Sequence, residues 1–223
     1  MGVSENLKEI KALIPSGVEM VAVSKFHPAS FIMEAYEAGQ RIFGESRVQE
    51  FLEKEKSLPR DIKWHFIGHL QTNKVKPIIG KTSLIESVDS ERLLDLIDRE
   101  SEKSGVVTDV LLQVHVAQEE AKFGFYPEEL ISFLNKQTYK SLKSIRIRGL
   151  MGMATNTYDE ERIRKDFDTL HKLFLEVKND GSLDLPHFDK LSMGMSGDWE
   201  LAVEEGSNIV RIGSAIFGNR CYQ

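Results

Sequence analysis

The stretch VEMVAVSKFHPASFIMEAYEAG, residues 18–39, contains one complete unit of the pattern that decides the fold. Its first part, residues 18–24, is short, apolar and rich in β-branched side chains, which is typical of a buried strand. Lys25 follows directly. A helical segment then begins near Pro28 and ends at Gly39, residues that favour the start and the stop of a helix. The stretch therefore predicts a strand, a connection that carries a lysine, and a helix.

Seven more short apolar segments follow and are also predicted to be strands. They are residues 41–44, 62–68, 84–88, 109–116, 145–153, 190–194 and 208–213. Helical segments separate several of them: residues 46–57 and 90–105, each starting at a serine that could cap the helix, then 159–179 and 197–206, with a weaker one at 72–80. Strands joined by such crossovers indicate a parallel sheet.

Eight strand units in a chain of 223 residues predict an α/β fold, a single (β/α)₈ barrel of the TIM type spanning residues 1–223. An open doubly wound sheet is the alternative, although no G-x-G-x-x-G follows the first strand. Only ten residues follow Gly213, which is too few for a full eighth helix. Residues 5–14 have one apolar helical face, and we hypothesise that this extra N-terminal helix covers that side of the barrel.

The overall composition excludes several classes of function. With 29 Lys and Arg against 35 Asp and Glu, the net charge of −6 does not suit a general nucleic-acid binder. Cys221 is the single cysteine, so neither an internal disulfide nor a cysteine-based zinc site is expected. There is neither an apolar run of membrane-spanning length nor a signal-peptide pattern. We therefore predict a cytoplasmic protein without a membrane or nucleic-acid partner.

A barrel places its active site at the carboxyl ends of its strands, where several chemically distinctive residues are predicted to meet. Ser196 follows strand 7, and Gly213 and Ser214 follow strand 8; barrels often bind phosphate on these two loops. Arg211 lies inside strand 8, and Lys25 ends strand 1. Each signal has an ordinary alternative: Ser196 could be a helix cap and Gly213 a turn glycine. Arg211 could form a buried salt bridge, and Lys25 could be a surface lysine. Together, an amine, a phosphate cup and a ring-facing cation are the components of a pyridoxal phosphate site.

Other residues near the predicted barrel mouth carry weaker signals. His115, at the end of strand 5, could be an acid/base group or an ordinary polar residue of the barrel. The methionines near the mouth are better suited to packing around a flat ligand than to binding a metal; they are Met151, Met153, Met193 and Met195. His65 and His69 do not form a metal-binding face in a strand, so no metal site is predicted.

Several long motifs in order resemble the YggS/PROSC family of pyridoxal phosphate-binding proteins, the pyridoxal phosphate homeostasis proteins. They are VAVSK, FGESRVQE, WHFIGHLQTNK, SVDS, LLQV, EEAKFGF, GLMGMA and LSMGMSGDWELAVEEGSNIVRIGSAIFG. The resemblance runs from Val21 to Gly218 and implies a barrel similar to that of bacterial alanine racemase. It implies pyridoxal 5′-phosphate as the cofactor, held as a Schiff base.

The resemblance assigns roles to the residues that match the family motifs. Lys25 is implied as the Schiff-base lysine, Ser196, Gly213 and Ser214 as phosphate ligands, and Arg211 as the residue facing the pyridine nitrogen. Four positions depart from the usual family pattern: Ser46 and His115 stand where asparagine is usual, and Asn208 and Ser214 where threonine is usual. The two asparagine replacements affect contacts around the ring rather than the choice of cofactor.

The resemblance favours a non-catalytic carrier that takes part in intracellular pyridoxal phosphate homeostasis. Racemase chemistry needs an acid/base group on each face of the substrate carbon, and the chain ends at Gln223, shortly after the last strand. Apo pyridoxal phosphate-dependent enzymes are the expected protein partners, and a monomer or weak dimer is expected. The alternatives are a pyridoxal phosphate-dependent racemase using Lys25 and His115, and a barrel isomerase or aldolase acting on a sugar phosphate.

Overall fold

The protein is an eight-stranded parallel barrel in a computed structural model that describes residues 2–119 and 123–218. The strands are paired in chain order, and β1 also pairs with β8, which closes the barrel. Their bounds are β1 Glu19–Val23, β2 Ile42–Glu45, β3 Lys63–Phe66, β4 Leu84–Val88, β5 Thr108–Val114, β6 Ile145–Gly152, β7 Lys190–Met195 and β8 Ile209–Ile212. The predicted (β/α)₈ fold and all eight predicted strands are confirmed.

The helices have the bounds α1 Val3–Leu13, α2 Ala29–Glu37, α3 Val48–Ser57, α4 Glu91–Ser104, α5 Pro127–Lys136, α6 Glu160–Asn179, α7 Trp199–Glu204 and α8 Ser214–Phe217. Six of the helices among the described residues lie in connections between strands, whereas α1 precedes β1 and α8 follows β8; α5 is a helix for which the sequence analysis gives no segment. The hydroxyl of Ser90 caps α4 by accepting a hydrogen bond from the backbone of Leu93.

Two predicted details of the helices are wrong. Arg47, not Ser46, occupies the cap position of α3, and its side chain makes no capping hydrogen bond. The helix predicted at 72–80 is instead two short 3₁₀ helices, Thr72–Lys74 and Lys76–Ile78. Pro77 explains the second difference, because its ring and missing N–H prevent a continuous α-helix.

The barrel interior has an apolar layer with a polar layer closer to the mouth. The apolar layer is formed by Val21, Leu84, Leu111, Met151 and Ile209. Two residues further along their strands, and therefore on the same face, stand Glu86 and Arg211. The alternate residues of the strands, such as Val210 and Ile212, pack outward against the helices. The interior is thus filled by side chains, and its polar end faces the strand carboxyl termini.

Helix α1 packs against α2 and α8 and covers the side of the barrel where α8 is only four residues long. The side chain of Leu7 is fully buried there, and Asn6 Nδ2 donates a hydrogen bond of 3.0 Å to the Ile216 carbonyl. This arrangement confirms the hypothesis that the N-terminal helix compensates for the short eighth helix.

Across the residues that the structure describes, every helix is too short or too polar to cross a membrane. Within the same residues, no three histidine, cysteine or acidic side chains approach closely enough to hold a metal ion.

Candidate functional site

The five residues predicted as cofactor ligands meet in one cavity of about 290 Å³ at the carboxyl ends of the strands. Lys25, Ser196, Arg211, Gly213 and Ser214 all line it, although they come from three separate segments of the chain. The barrel brings these segments together because the ends of β1, β7 and β8 are neighbours. A larger depression of about 690 Å³ lies outside the barrel, between α5 and α6. It is remote from the strand ends and their chemistry.

One wall of the cavity is a cup of backbone N–H groups at the start of α8. The Oγ atom of Ser196 accepts hydrogen bonds from the backbone N–H of Gly213 at 3.0 Å and of Ala215 at 3.5 Å. A side-chain Cβ at position 213 would lie only 3.1 Å from the carbonyl oxygen of Val23, so glycine fits the close approach of β8 to β1. Two donors converging on one oxygen, beside a second hydroxyl on Ser214, suit a phosphate group.

Arg211 forms the floor of the cavity and is almost completely buried, with 4% of its surface exposed. Its Nη2 atom donates to the carbonyl of Gly152 at 2.8 Å, and its Nη1 atom donates to Ser192 Oγ at 2.5 Å. The Nη1 atom also lies 3.7 Å from Glu86 Oε2. These contacts fix the plane of the guanidinium before any ligand binds.

Glu86 supplies the negative charge that accompanies Arg211 inside the barrel. Its Oε2 atom accepts a hydrogen bond of 2.6 Å from Ser192 Oγ, and its Oε1 atom lies 2.6 Å from His65 Nδ1. Burial raises the pKa of Glu86, but the hydrogen bond and charge of His65, together with Arg211, outweigh it and the pKa falls below its ordinary value. Burial lowers the pKa of Arg211, against the opposing effect of Glu86 and Asp198.

Lys25 stands on the turn between β1 and α2, and its side chain is half-buried. The next residue, Phe26, has a φ of 67°, a left-handed conformation that bulky side chains rarely adopt. His27 also lines the cavity, and its ring stacks against those of Phe31 and Phe217. The turn is therefore tightly shaped, and Lys25 enters the cavity from one side of it.

The remaining predicted residues are divided between the cavity and its surroundings. Ser46, Met153 and Met195 line the cavity, whereas Met151 and Met193 are buried in the core. His115 is buried against the ring of Tyr126 and is not among the described residues that line the cavity. Cys221 and part of the EEAKFGF motif, residues 120–122, lie outside the described residues.

Sequence reasoning missed the polar layer that supports Arg211. A glutamate in the middle of the apolar segment LIESV was a signal, because a charge in a buried strand requires a partner. The partner itself could not be deduced, since Glu86 and Arg211 are far apart in the sequence and meet only across the closed barrel.

A family profile described as "Alanine racemase, N-terminal domain" matches residues 2–221, so the chain has the barrel domain of the racemase type. An alanine racemase of Clostridium difficile has the same fold, with a TM-score of 0.79 at 16% identity over 100% of this chain and 57% of that chain.

More similar relatives narrow this class. The pyridoxal phosphate homeostasis protein of Aquifex aeolicus is 42% identical over 92% of this chain and 88% of its own length. The protein of that name from Schizosaccharomyces pombe is 42% identical over 91% of this chain and 84% of its own length. The chain belongs to the family of pyridoxal phosphate homeostasis proteins, which confirms the predicted family.

One relative has been solved both without and with pyridoxal phosphate. PipY of Synechococcus elongatus without pyridoxal phosphate has a TM-score of 0.90 at 36% identity, covering 97% of this chain and 100% of that chain. PipY with pyridoxal phosphate bound has a TM-score of 0.87 at 35% identity with the same coverage. The cofactor predicted for the family is thus confirmed in a relative.

Proposed function

We propose that this protein binds pyridoxal 5′-phosphate in the barrel-mouth cavity and takes part in pyridoxal phosphate homeostasis as a single-domain carrier. The observation that carries the proposal is the joint presence of Lys25, the Ser196–Gly213 phosphate cup and Arg211 in one cavity of about 290 Å³. The names of the relatives and the cofactor bound to PipY support it.

Each residue has a distinct role in the proposed site. The aldehyde of pyridoxal phosphate condenses with a primary amine with loss of water, and Lys25 supplies that amine. The phosphate would replace Ser196 Oγ as the acceptor for the backbone N–H groups of Gly213 and Ala215, and the hydroxyls of Ser196 and Ser214 would donate to it as well. Arg211, already fixed by Ser192 and Gly152, faces the ring nitrogen. A cation at that position disfavours protonation of the nitrogen and so weakens the ring as an electron sink.

The composition of the cavity supports a carrier over a racemase. Racemisation requires acid/base groups on both faces of the substrate carbon. Of the described residues lining the cavity, none is a tyrosine, and His115 is not among them. His27 does line the cavity, but it belongs to the same turn as Lys25, and its ring is packed against those of Phe31 and Phe217. We therefore propose that the protein holds and transfers the cofactor without robust catalysis.

A transfer assay tests the proposed function. Protein loaded with pyridoxal phosphate and freed of excess cofactor should activate an apo pyridoxal phosphate-dependent enzyme while its own chromophore disappears. A panel of amino acids in deuterated water should show no rapid exchange of the Cα proton. Rapid exchange that is lost in His27→Ala or His115→Ala would contradict the carrier and favour the racemase.

We further propose a cytoplasmic location, apo-enzymes as the recipients, and a monomer or weak dimer. The mildly acidic charge of −6 supports the absence of a nucleic-acid partner. Light scattering of the loaded and unloaded protein measures the oligomeric state, and a stable higher oligomer would contradict that part of the proposal.

A further inference from the structure

A buried cluster of three charged side chains lies directly behind the Lys25 turn. Lys54 Nζ on α3 donates to Glu45 Oε1 at 2.7 Å and to Glu50 Oε1 at 2.6 Å. The side chain of Glu45 is fully buried, that of Lys54 is 8% exposed, and that of Glu50 is 21% exposed. Because burying charges is costly, a cluster of this kind needs good geometry and a full set of hydrogen bonds.

The cluster contacts the backbone on both sides of Lys25. On the N-terminal side, Lys54 Nζ donates to the carbonyl of Ser24 at 2.8 Å, and the Ser24 hydroxyl donates to Glu45 Oε1 at 2.6 Å. On the C-terminal side, the backbone N–H of Phe26 donates to Glu50 Oε1 at 2.6 Å. The two residues that flank Lys25 are therefore connected through Lys54 and its two carboxylates.

These bonds act on a strained segment of backbone. The left-handed φ of 67° at Phe26 costs on the order of 1–3 kcal/mol and persists only where the surroundings enforce it. Hydrogen bonds to charged groups are stronger than bonds between neutral groups, and Glu50 makes such a bond to the Phe26 N–H. Without this carboxylate, we expect the turn to relax toward ordinary φ values, which would rotate the Cα–Cβ bond of Lys25.

We propose that Glu50 and Lys54 are positioning residues that hold the Lys25 turn in its left-handed conformation and thereby direct the lysine amine into the cavity. This inference rests on the proposed role of Lys25 as the amine that condenses with the cofactor aldehyde. Neither positioning residue is assigned a contact with the phosphate or with the ring. They act on the reactive amine through the backbone beside it: Lys54 bonds the carbonyl of Ser24 and Glu50 bonds the N–H of Phe26.

Cofactor affinity has two parts that can be measured independently: binding of the phosphate and ring, and condensation of the aldehyde with the Lys25 amine. Pyridoxine 5′-phosphate has the phosphate and the ring but an alcohol in place of the aldehyde, so it cannot condense with Lys25. Its dissociation constant reports the cup and Arg211. The ratio of the two dissociation constants, for pyridoxal phosphate and for pyridoxine phosphate, reports the contribution of the amine.

Glu50→Ala removes the bridging carboxylate and is the main variant. We expect its affinity for pyridoxal phosphate to fall about 10-fold, the loss of one charge-assisted hydrogen bond, and its affinity for pyridoxine phosphate to stay within about twofold. Glu50→Gln keeps an oxygen that accepts both hydrogen bonds and should restore most of the affinity. Glu53→Ala is the matched control, since this exposed carboxylate on the same helix contacts Gln49 instead of the turn.

Two outcomes would overturn the inference. If Glu50→Ala weakens the binding of both ligands equally, the cluster supports the pocket as a whole. If it weakens the binding of neither ligand, the turn does not need the cluster. If Glu50→Ala does not fold, Glu50→Asp, which retracts the carboxylate by one methylene, is judged by the same ratio. Lys25→Ala tests the role of the Lys25 amine separately from that of Glu50 and Lys54. Wild-type affinity for pyridoxal phosphate in that variant would contradict the proposed role of Lys25 itself.

Discussion

At the scale of single residues, the site depends on charges whose partners hold them in place inside the barrel. Arg211 is buried among Glu86, Ser192 and the carbonyl of Gly152, so its cost of desolvation is offset by an ion pair and two hydrogen bonds. The residues at the strand ends could be predicted from the sequence, because they follow recognisable strands. Their supporting partners could not, because the pairing is set by barrel closure.

Glu86→Gln should destabilise the protein strongly. The substitution keeps the shape but removes the charge opposite Arg211, and an uncompensated buried charge costs about 3 kcal/mol. Urea unfolding at pH 7 measures the loss. Ser192→Ala, which removes the hydrogen bonds to Arg211 and Glu86 but leaves the two charges paired, should cost less, about 1–2 kcal/mol. Equal stability of Glu86→Gln and the wild type would show that Arg211 does not depend on this carboxylate.

Gly68→Ala should distort the cavity wall as well as lower stability. A Cβ at position 68 would lie 2.3 Å from the carbonyl oxygen and 2.6 Å from the Cα atom of Ser46, which lines the cavity. Overpacking against backbone costs about 1–3 kcal/mol, and displacement of Ser46 should weaken binding of pyridoxal phosphate. Gly181→Ala, where nothing lies within 4 Å, should be nearly neutral in both measurements. Unchanged unfolding and binding in Gly68→Ala would contradict the close approach.

At the scale of secondary-structure elements, the repeat of short strands and amphipathic helices was sufficient to predict the barrel. The boundaries were less predictable where local preferences compete. Ser46 is a good capping residue by type, yet the chain at Ser46 packs against Gly68 and the helix starts two residues later, at Val48. Helix α1 was predictable because residues 5–14 carry one apolar helical face that has to be covered.

Leu7→Ala tests whether α1 is an integral part of the barrel. Leu7 is fully buried, and its truncation should lower the free energy of unfolding by about 3 kcal/mol, as for other large-to-small core substitutions. Leu13→Ala on the same helix is the control, since Leu13 is 61% exposed and its truncation should change stability by less than about 0.5 kcal/mol. Similar effects of the two substitutions would mean that α1 is not packed as described.

At the scale of the whole molecule, stability and the site are linked through the buried cluster behind Lys25. Nothing in the sequence distinguished Lys54 from other lysines of an amphipathic helix, because its partners Glu45 and Ser24 lie on β2 and after β1. The family resemblance predicted the cofactor but not this support. The unpredicted part of the site is therefore the set of buried polar contacts between elements.

The free energy of unfolding should depend on pH because Glu45 titrates at a different pKa in the folded protein than in the unfolded chain. Burial is the largest effect and raises its pKa from 4.5 to about 7, although Lys54 and the Ser24 hydroxyl oppose it. Because the pKa of Glu45 is higher in the folded state, the folded protein binds a proton on this carboxyl more tightly than the unfolded chain does. The free energy of unfolding is therefore highest at low pH, and it falls as pH rises from 4.5 to about 7.

Glu45→Gln should remove this dependence because the amide does not titrate. Relative to Glu45→Gln, the wild type should lose ~2 kcal/mol of unfolding free energy between pH 5 and pH 8. Urea unfolding of both proteins across this range provides the measurement. Parallel pH profiles would show that Glu45 titrates normally in the folded protein.

Trapping the bond between Lys25 and pyridoxal phosphate shows whether this lysine holds the cofactor in the barrel-mouth cavity. The protein is incubated with pyridoxal phosphate, reduced with borohydride, digested and mapped by mass spectrometry. We expect one stoichiometric phosphopyridoxyl group on Lys25, which is absent when the reduction is omitted. If the protein still binds the cofactor but the label is on another lysine, or there is no label, Lys25 does not form the bond.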